Sequence, residues 1–262
     1  MDDHIVPKKS LGQHWLHDED SLLSMVNASQ LTALDNVVEI GPGLGTLTKY
    51  LVARAGRVYA VEFDKTLADG LVGRVTADNL SVHHEDCLAF DYNSLPPNYK
   101  VVANIPYYLT SNLLRILSES LNPPQTIVLL IQKEVAERVA AKPGDMSLLS
   151  VSIQLYYEVQ LDRVISAKLF TPPPKIDSQI IKLVRRTEPL FADIDNRKFF
   201  KVVKAGFAQR RKKLRSSISA GLHIDKKQAS ELLLKADIDP NLRPQELTLQ
   251  QWHVLHKLVP KL

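Results

Sequence analysis

Val37-Val38-Glu39-Ile40 is a short apolar run that ends in Gly41-Pro42-Gly43-Leu44-Gly45, and beyond the glycines Leu47, Tyr50 and Leu51 recur at helical spacing. This reads as strand, glycine turn, helix. Glycines at such a turn admit unusual backbone angles and let a ligand approach the main chain closely. The spacing is G-x-G-x-G, and Thr46 stands where the dinucleotide fingerprint G-x-G-x-x-G requires its last glycine. That disfavours a nicotinamide-dependent dehydrogenase. Glu39 lies two residues ahead of the turn. A carboxylate is out of place beside bound phosphate, whereas a cationic, adenosine-bearing ligand tolerates it.

Further strands follow outward from this turn. Arg57-Val58-Tyr59-Ala60-Val61 ends in Glu62, Leu80-Ser81-Val82-His83 ends near Asp86, and Tyr99-Lys100-Val101-Val102-Ala103 ends at Asn104. Thr126 to Ile131 is a fifth, and residues 18–34 read as a helix with Asp18 as its N-cap. Strands alternating with helices predict an α/β fold, a parallel sheet with helices on both faces and right-handed crossovers. Open sheets of this kind bind ligands beyond the C-terminal ends of their strands, where Gly41, Glu62, Asp86 and Asn104 all fall. Glu62, 21 residues past Gly41, stands where a second strand presents a carboxylate to ribose hydroxyls. Asp86 is placed to accept a bond from an adenine amino group.

Asn104-Ile105-Pro106-Tyr107 closes the fourth strand. An adenine amino nitrogen is a poor nucleophile, because its lone pair is delocalised into the ring. Acceptors in line with its N–H bonds draw it toward tetrahedral geometry; the Asn104 side-chain oxygen and a carbonyl of the Ile105–Pro106 link are such acceptors. Pro106 fixes its own φ and keeps Ile105 extended. Tyr107 supplies a ring for stacking on a flat base, a contact worth about 1–3 kcal/mol. No strong base is needed, since the proton becomes acidic once the nitrogen is alkylated.

Composition narrows the class. Hydrophobic residues make up 45% and charged residues 24%, which excludes wholesale disorder and a collagen-like chain. The longest uninterrupted aliphatic stretch, Ile127 to Ile131, falls far short of the about 18 apolar residues of a membrane span. Met1-Asp2-Asp3-His4 is acidic with no apolar segment behind it, so neither a secretory signal nor a membrane partner is expected. The single cysteine, Cys87, excludes an internal disulfide and a multi-cysteine zinc site, and reads as a small buried residue. The eight histidines show no HExxH or paired spacing, so no metal is expected. Cytoplasmic localisation is the expectation.

Charge is divided unevenly. Residues 1–184 carry 16 Lys and Arg against 21 Asp and Glu, and residues 185–262 carry 17 against 8. A basic tail attracts polyanions through counterion release. The sign changes near Arg185-Arg186-Thr187-Glu188-Pro189, which sets expected domains at 1–186 and 187–262. In the second, Phe199, Phe200, Val203, Phe207, Leu214 and Ile218 recur at helix-compatible spacing, so a small basic helical domain is expected.

Taken in order, five motifs resemble those of the KsgA-type ribosomal RNA adenine dimethyltransferases: Lys9-Ser10-Leu11-Gly12-Gln13-His14-Trp15-Leu16, Val38-Glu39-Ile40-Gly41-Pro42-Gly43-Leu44-Gly45, Asn104-Ile105-Pro106-Tyr107, Gln132-Lys133-Glu134-Val135-Ala136-Glu137-Arg138 and Phe170-Thr171-Pro172-Pro173-Pro174-Lys175-Ile176-Asp177-Ser178. Ala208-Gln209-Arg210-Arg211-Lys212-Lys213-Leu214-Arg215 is similar to that family's C-terminal basic helix. The resemblance spans nearly the whole chain. It implies a Rossmann-like class I S-adenosylmethionine-dependent methyltransferase domain with a small C-terminal α-helical domain. It also implies dimethylation of two adjacent adenosines near the 3′ end of small-subunit (16S) ribosomal RNA within a pre-ribosomal subunit. A monomer is the default. The site it implies has His14 and Leu16 closing over the methionine end of the cofactor, Gly41 approaching its amino-acid part, Glu62 on the ribose and Asp86 on the adenine. Asn104 would touch both cofactor and target amine, with Phe170 stacking on the base opposite Tyr107. Two rivals stand beside this reading: a macrolide-resistance methyltransferase acting on large-subunit RNA, and a ribosome-assembly factor without turnover.

Overall fold

The computed structural model describes residues 5–209 and 211–260. Among these residues nine strands occur: β1 (Trp15–Leu16), β2 (Asn36–Ile40), β3 (Arg57–Glu62), β4 (Leu80–His84), β5 (Lys100–Asn104), β6 (Thr126–Gln132), β7 (Tyr157–Ile165), β8 (Phe170–Thr171) and β9 (Ser178–Arg185). The helices are α1 (Glu19–Ser29), α2 (Thr48–Val52), α3 (Lys65–Arg74), α4 (Thr110–Glu119), α5 (Lys133–Val139), α6 (Leu148–Gln154), α7 (Asn196–Phe207), α8 (Leu214–Leu222), α9 (Lys226–Lys235) and α10 (Leu249–Leu258). The chain divides into two compact units, Met1–Glu137 with Glu158–Arg185, and Arg138–Tyr157 with Arg186–Leu262.

The first unit holds a seven-stranded sheet of order β4-β3-β2-β5-β6-β9-β7. The five strands expected from sequence, β2 to β6, pair in parallel, and β9 runs antiparallel to β6 from Thr126↔Val184 to Gln132↔Ser178. Val101, Val102 and Ala103 of β5 and Ile127 to Ile131 of β6 are wholly buried, as continuous apolar strands covered on both faces must be. Two helices beside the site start where a side chain takes up a free amide: Asp18 accepts from Ser21 N at 2.9 Å ahead of α1, and Asp64 from Thr66 N at 3.0 Å ahead of α3.

The order reverses at β2, which has β3 on one side and β5 on the other. This switch point leaves a crevice, because the two crossovers depart in opposite directions. The β2–β5 ladder holds Val37↔Lys100 and Val38↔Val101 and stops there, whereas β2 and β3 stay paired to Ile40↔Val61, with Gly41 N–H donating to Val61 O at 2.9 Å. Ile40 and Asn104 therefore end on strands that have parted.

The second unit is helical. Phe199, Val202, Val203, Leu214, Ile218, Leu233, Trp252 and Leu255 are its buried centre. It differs from the expectation of one boundary at 186/187, since the segment Arg138–Tyr157 belongs to it. Met146, Val151 and Leu155 bury their side chains in the same helical core. Gln154 Nε2 donates to the carbonyls of Val139 and Ala141 at 2.7 and 2.9 Å, and Gly144 N–H to Gln245 O at 2.9 Å. Charge could not reveal this, because the segment is apolar where it packs. Among the described residues no helix is long and apolar enough to cross a membrane.

Candidate active site

A cavity opens at the switch point, lined by the turn after β2, the ends of β3 and β5, residues just past β4, and the arm Leu11–Leu16. The turn is shaped by glycine at φ +67° for Gly41, +57° for Gly43 and +83° for Gly45. A Cβ on Gly45 would lie 2.8 Å from Val75 Cγ2, so that glycine lets α3 pack close. A Cβ on Gly41 would meet only Asn104 O, at 4.0 Å, and would project into the crevice. Gly41 thus leaves open a space on the cavity side that any side chain would fill.

Glu62 is 6% exposed. Its Oε2 accepts from Gly43 N–H at 3.1 Å and its Oε1 from Asp64 N–H at 2.8 Å. Burial raises its carboxyl above the usual range against those amide bonds. Glu39, 1% exposed, also lines the cavity, and its Oε2 has no partner among the described residues. Burial pushes its carboxyl up to about 8, with the nearby Glu62 carboxylate adding to the shift.

The sign of this shift makes a prediction. A carboxyl whose folded value is about 8, against 4.5 ordinarily, contributes stability that is fully present below about pH 4.5 and lost as pH rises through 8. Glu39→Gln keeps a neutral side chain at every pH. In ligand-free protein the variant should therefore melt above the wild type by a margin that widens between pH 5 and 8 and levels off beyond. Melting curves at pH 5, 7 and 9 check this; a constant margin would place the ionised carboxylate in water.

Asn104 ends β5 half-buried, and its Nδ2 donates to His14 O at 3.3 Å. That bond ties one of the amide's two N–H groups to the arm and leaves Oδ1 as an acceptor. Tyr107 opens the next turn; its hydroxyl pairs with Ser178 Oγ at 2.8 Å and its ring lies near parallel to that of His14, centroids 6.1 Å apart. Burial raises its phenol above the ordinary value. The His14 ring donates from Nδ1 to Pro172 O at 2.6 Å. In the two-stranded pairing of β1 with β8, Leu16 stands opposite Phe170 and Trp15 opposite Thr171. Lys8 closes the arm at its other end, pairing with Asp64 at 2.7 Å.

The expected residues His14, Leu16, Gly41, Glu62, Asn104, Tyr107 and Phe170 all line this one cavity. Two sit otherwise than the sequence implied. Phe170 is 3% exposed and packs in the core with Leu16 and Leu22, so it forms part of the wall. Asp86 is exposed, caps the turn after β4 through Leu88 N–H at 2.9 Å, and is flanked by the cavity-lining Glu85 and Cys87. Burial pushes the Cys87 thiol up to about 12, so it stays protonated. The sequence missed Trp15 and Phe63 as cavity residues. Phe63, 58% exposed directly after Glu62, had a readable signal in an aromatic that follows the strand-end carboxylate.

A seven-stranded sheet with the glycine turn and two strand-end carboxylates around one crevice defines a Rossmann-like class I methyltransferase domain. Residues 6–260 match the family model described as Ribosomal RNA adenine dimethylase, and the chain belongs to that family. A protein named Ribosomal RNA small subunit methyltransferase A from Dehalococcoides mccartyi is 40% identical over 252 residues, covering 95% of this chain and 87% of the relative. The fold is shared with a dimethyladenosine transferase from Plasmodium falciparum, at TM-score 0.79 and 24% identity over 92% of this chain and 96% of that one. It is also shared with the 23S rRNA methyltransferase ErmE, at TM-score 0.75 and 25% identity over 94% and 100%. The methyl donor of the family and fold is S-adenosylmethionine, and the residues present fit it. Glu39 Oε2 is free to accept a bond from a cationic group, whose arrival would favour the ionised carboxylate; the buried Glu62 carboxylate suits hydroxyls, and Gly41 leaves the space for a close approach.

Proposed function

We propose that this chain transfers methyl groups from S-adenosylmethionine to the exocyclic amino groups of two adjacent adenosines near the 3′ end of small-subunit ribosomal RNA, as a monomer acting on a pre-ribosomal subunit in the cytoplasm. One observation carries the reading. Asn104 lines the same cavity as Gly41 and Glu62, and with one N–H of its amide turned to His14 O its side-chain oxygen is available to meet an amine.

S-adenosylmethionine supplies an electrophilic methyl group. Glu62 holds the ribose hydroxyls on a carboxylate already ordered by Gly43 and Asp64. Gly41 and Glu39 receive the amino-acid end, and Asp86 takes the adenine amine with the oxygen not used in its cap. His14 and Leu16 close the cavity from the arm. Asn104 Oδ1 and the Ile105 carbonyl accept the two N–H bonds of the target amine. The Pro106 carbonyl is committed to Leu109 N–H at 3.0 Å, so the Ile105 carbonyl is the acceptor of that link. As positive charge develops on the nitrogen these two oxygens bind it more tightly, which is the differential stabilisation that speeds the step. Tyr107, fixed at its hydroxyl by Ser178, supports a base taken out of its stack, with Phe170 part of the cavity wall.

The test offers labelled S-adenosylmethionine with small and large subunits from cells lacking this methylation. Label should enter small-subunit RNA. Label entering large-subunit RNA instead would favour the macrolide-resistance reading, and no transfer at any assembly stage would favour an assembly factor.

The basic segment between α7 and α8 makes a separate prediction. Arg210 lies outside the described residues, while Arg211, Lys212 and Lys213 are exposed. Replacing Arg210, Arg211 and Lys212 together should weaken subunit binding and flatten its salt dependence, by about one released counterion for each phosphate no longer neutralised. Affinity for S-adenosylmethionine should not change. Binding measured across a salt series decides it; an unchanged slope would make the segment a solvated face.

A further inference from the structure

Beneath the glycine turn lies a cation outside the methyl-transfer machinery. Arg74 ends α3, and its side chain runs back under the turn. Its Nη2 donates to the Gly43 carbonyl at 3.2 Å and to the Leu67 carbonyl at 2.7 Å. Gly43 is therefore held from both sides, since its N–H donates to Glu62 Oε2 at 3.1 Å. With φ at +57° it sits in the left-handed region, and fixing both flanking peptides fixes that conformation.

Room for the guanidinium comes from Gly70, one turn earlier on the same helix. A Cβ there would lie 2.3 Å from Arg74 Nη1 and 3.2 Å from its Cζ. Glycine inside a helix lowers its stability relative to alanine, and Gly70 has no positive φ to require it. Its missing side chain is needed for space alone. The atom it spares is the far end of a flexible side chain, so a methyl group at position 70 would evict the guanidinium without moving the backbone.

We infer that Arg74 is a positioning residue for the methyl-donor site, and that Gly70 is the space that admits it. The inference rests on the proposed reading of the cavity. Arg74 is absent from the cavity lining and acts through Gly43, holding the turn so that Glu62 presents its carboxylate in one orientation before the ligand arrives. Pre-organised groups bind without first being ordered, so the benefit appears in affinity.

The experiment compares wild type, Arg74→Ala, Gly70→Ala and the double variant. Calorimetry gives the dissociation constant for S-adenosylmethionine, thermal melting gives stability, and methyl transfer is measured at saturating donor. Each single variant should weaken donor binding about tenfold, the size of one charge-assisted hydrogen bond. The double variant should bind no worse than Arg74→Ala, because Gly70→Ala acts by displacing a group already removed. In the Arg74→Ala background Gly70→Ala should raise the melting temperature while leaving affinity unchanged, a divergence that general destabilisation does not produce. The rate at saturating donor should hold, since Asn104 and Tyr107 are untouched. Wild-type affinity in Arg74→Ala, or losses that add in full in the double variant, would overturn the inference. If Arg74→Ala does not fold, undiminished affinity in Gly70→Ala would overturn it equally. A wild-type chain that binds no S-adenosylmethionine would instead overturn the reading of the cavity, and the inference with it.

Discussion

Asn104→Ala is expected to slow methyl transfer by about 100-fold or more, the usual loss when a pre-organised electrostatic group is removed from a developing charge. The loss should fall on the chemical step. In the proposed mechanism Asn104 Oδ1 would hold the neutral amine only weakly and the cationic one strongly, so its removal would cost more in the transition state than in the ground state. Subunit binding should persist, because it rests on phosphate contacts spread over the surface. A structural effect is also built in: Asn104 Nδ2 ties the arm through His14 O at 3.3 Å, so the variant loosens that tie too. Asn104→Asp separates the two effects. It keeps an acceptor oxygen for the amine and loses the donor to His14. Tyr107→Ala should slow transfer less than Asn104→Ala, since it removes support for the base and leaves both acceptors. Single-turnover rates set beside binding of donor and subunit distinguish these outcomes; unchanged transfer by Asn104→Ala would remove it from the mechanism.

Glu62→Ala is expected to weaken S-adenosylmethionine by about 1.5–3 kcal/mol, the range for hydrogen bonds to a charged group. Both carboxylate oxygens already accept backbone amides, from Gly43 at 3.1 Å and Asp64 at 2.8 Å. The variant therefore loses its bonds to the ligand and also the anchor of the turn. Burial raises the Glu62 carboxyl, so its protonation as pH falls should weaken donor binding at a higher pH than an exposed glutamate would give. Titration calorimetry across the acid range measures this. Undiminished affinity in a folded Glu62→Ala protein would take the residue out of the site.

The centre of the sheet was legible because β2, β5 and β6 are buried on both faces. Val37-Val38, Val101-Val102 and Ile127 to Ile131 read as unbroken apolar runs, and their ends marked Gly41, Asn104 and the cavity. What the residues alone hid was long-range. β7 is mostly exposed and carries no continuous apolar run, so its strand depends on its place beside β9 and is not marked by local pattern. The pairing of Trp15-Leu16 with Phe170-Thr171 joins segments that local pattern cannot connect, and it explains why Phe170 is walled into the core. Asp86 lies two residues past the end of β4. Its side chain caps the following turn, a local bond that competes with a ligand for the same carboxylate. The position of Glu39 ahead of the turn is compatible with a cation, but burial makes it a chemical feature, and burial belongs to the fold.

The most direct measurement is the identity of the product. Purified protein, S-adenosylmethionine and small subunits from cells lacking this methylation are incubated together, and the RNA is digested and read by mass spectrometry with the modified positions mapped. Dimethyladenosine is expected at two adjacent positions near the 3′ end of the small-subunit RNA, formed by wild type and strongly reduced with Asn104→Ala. Methyl groups on any other base, or equal yields from the two proteins, would contradict it.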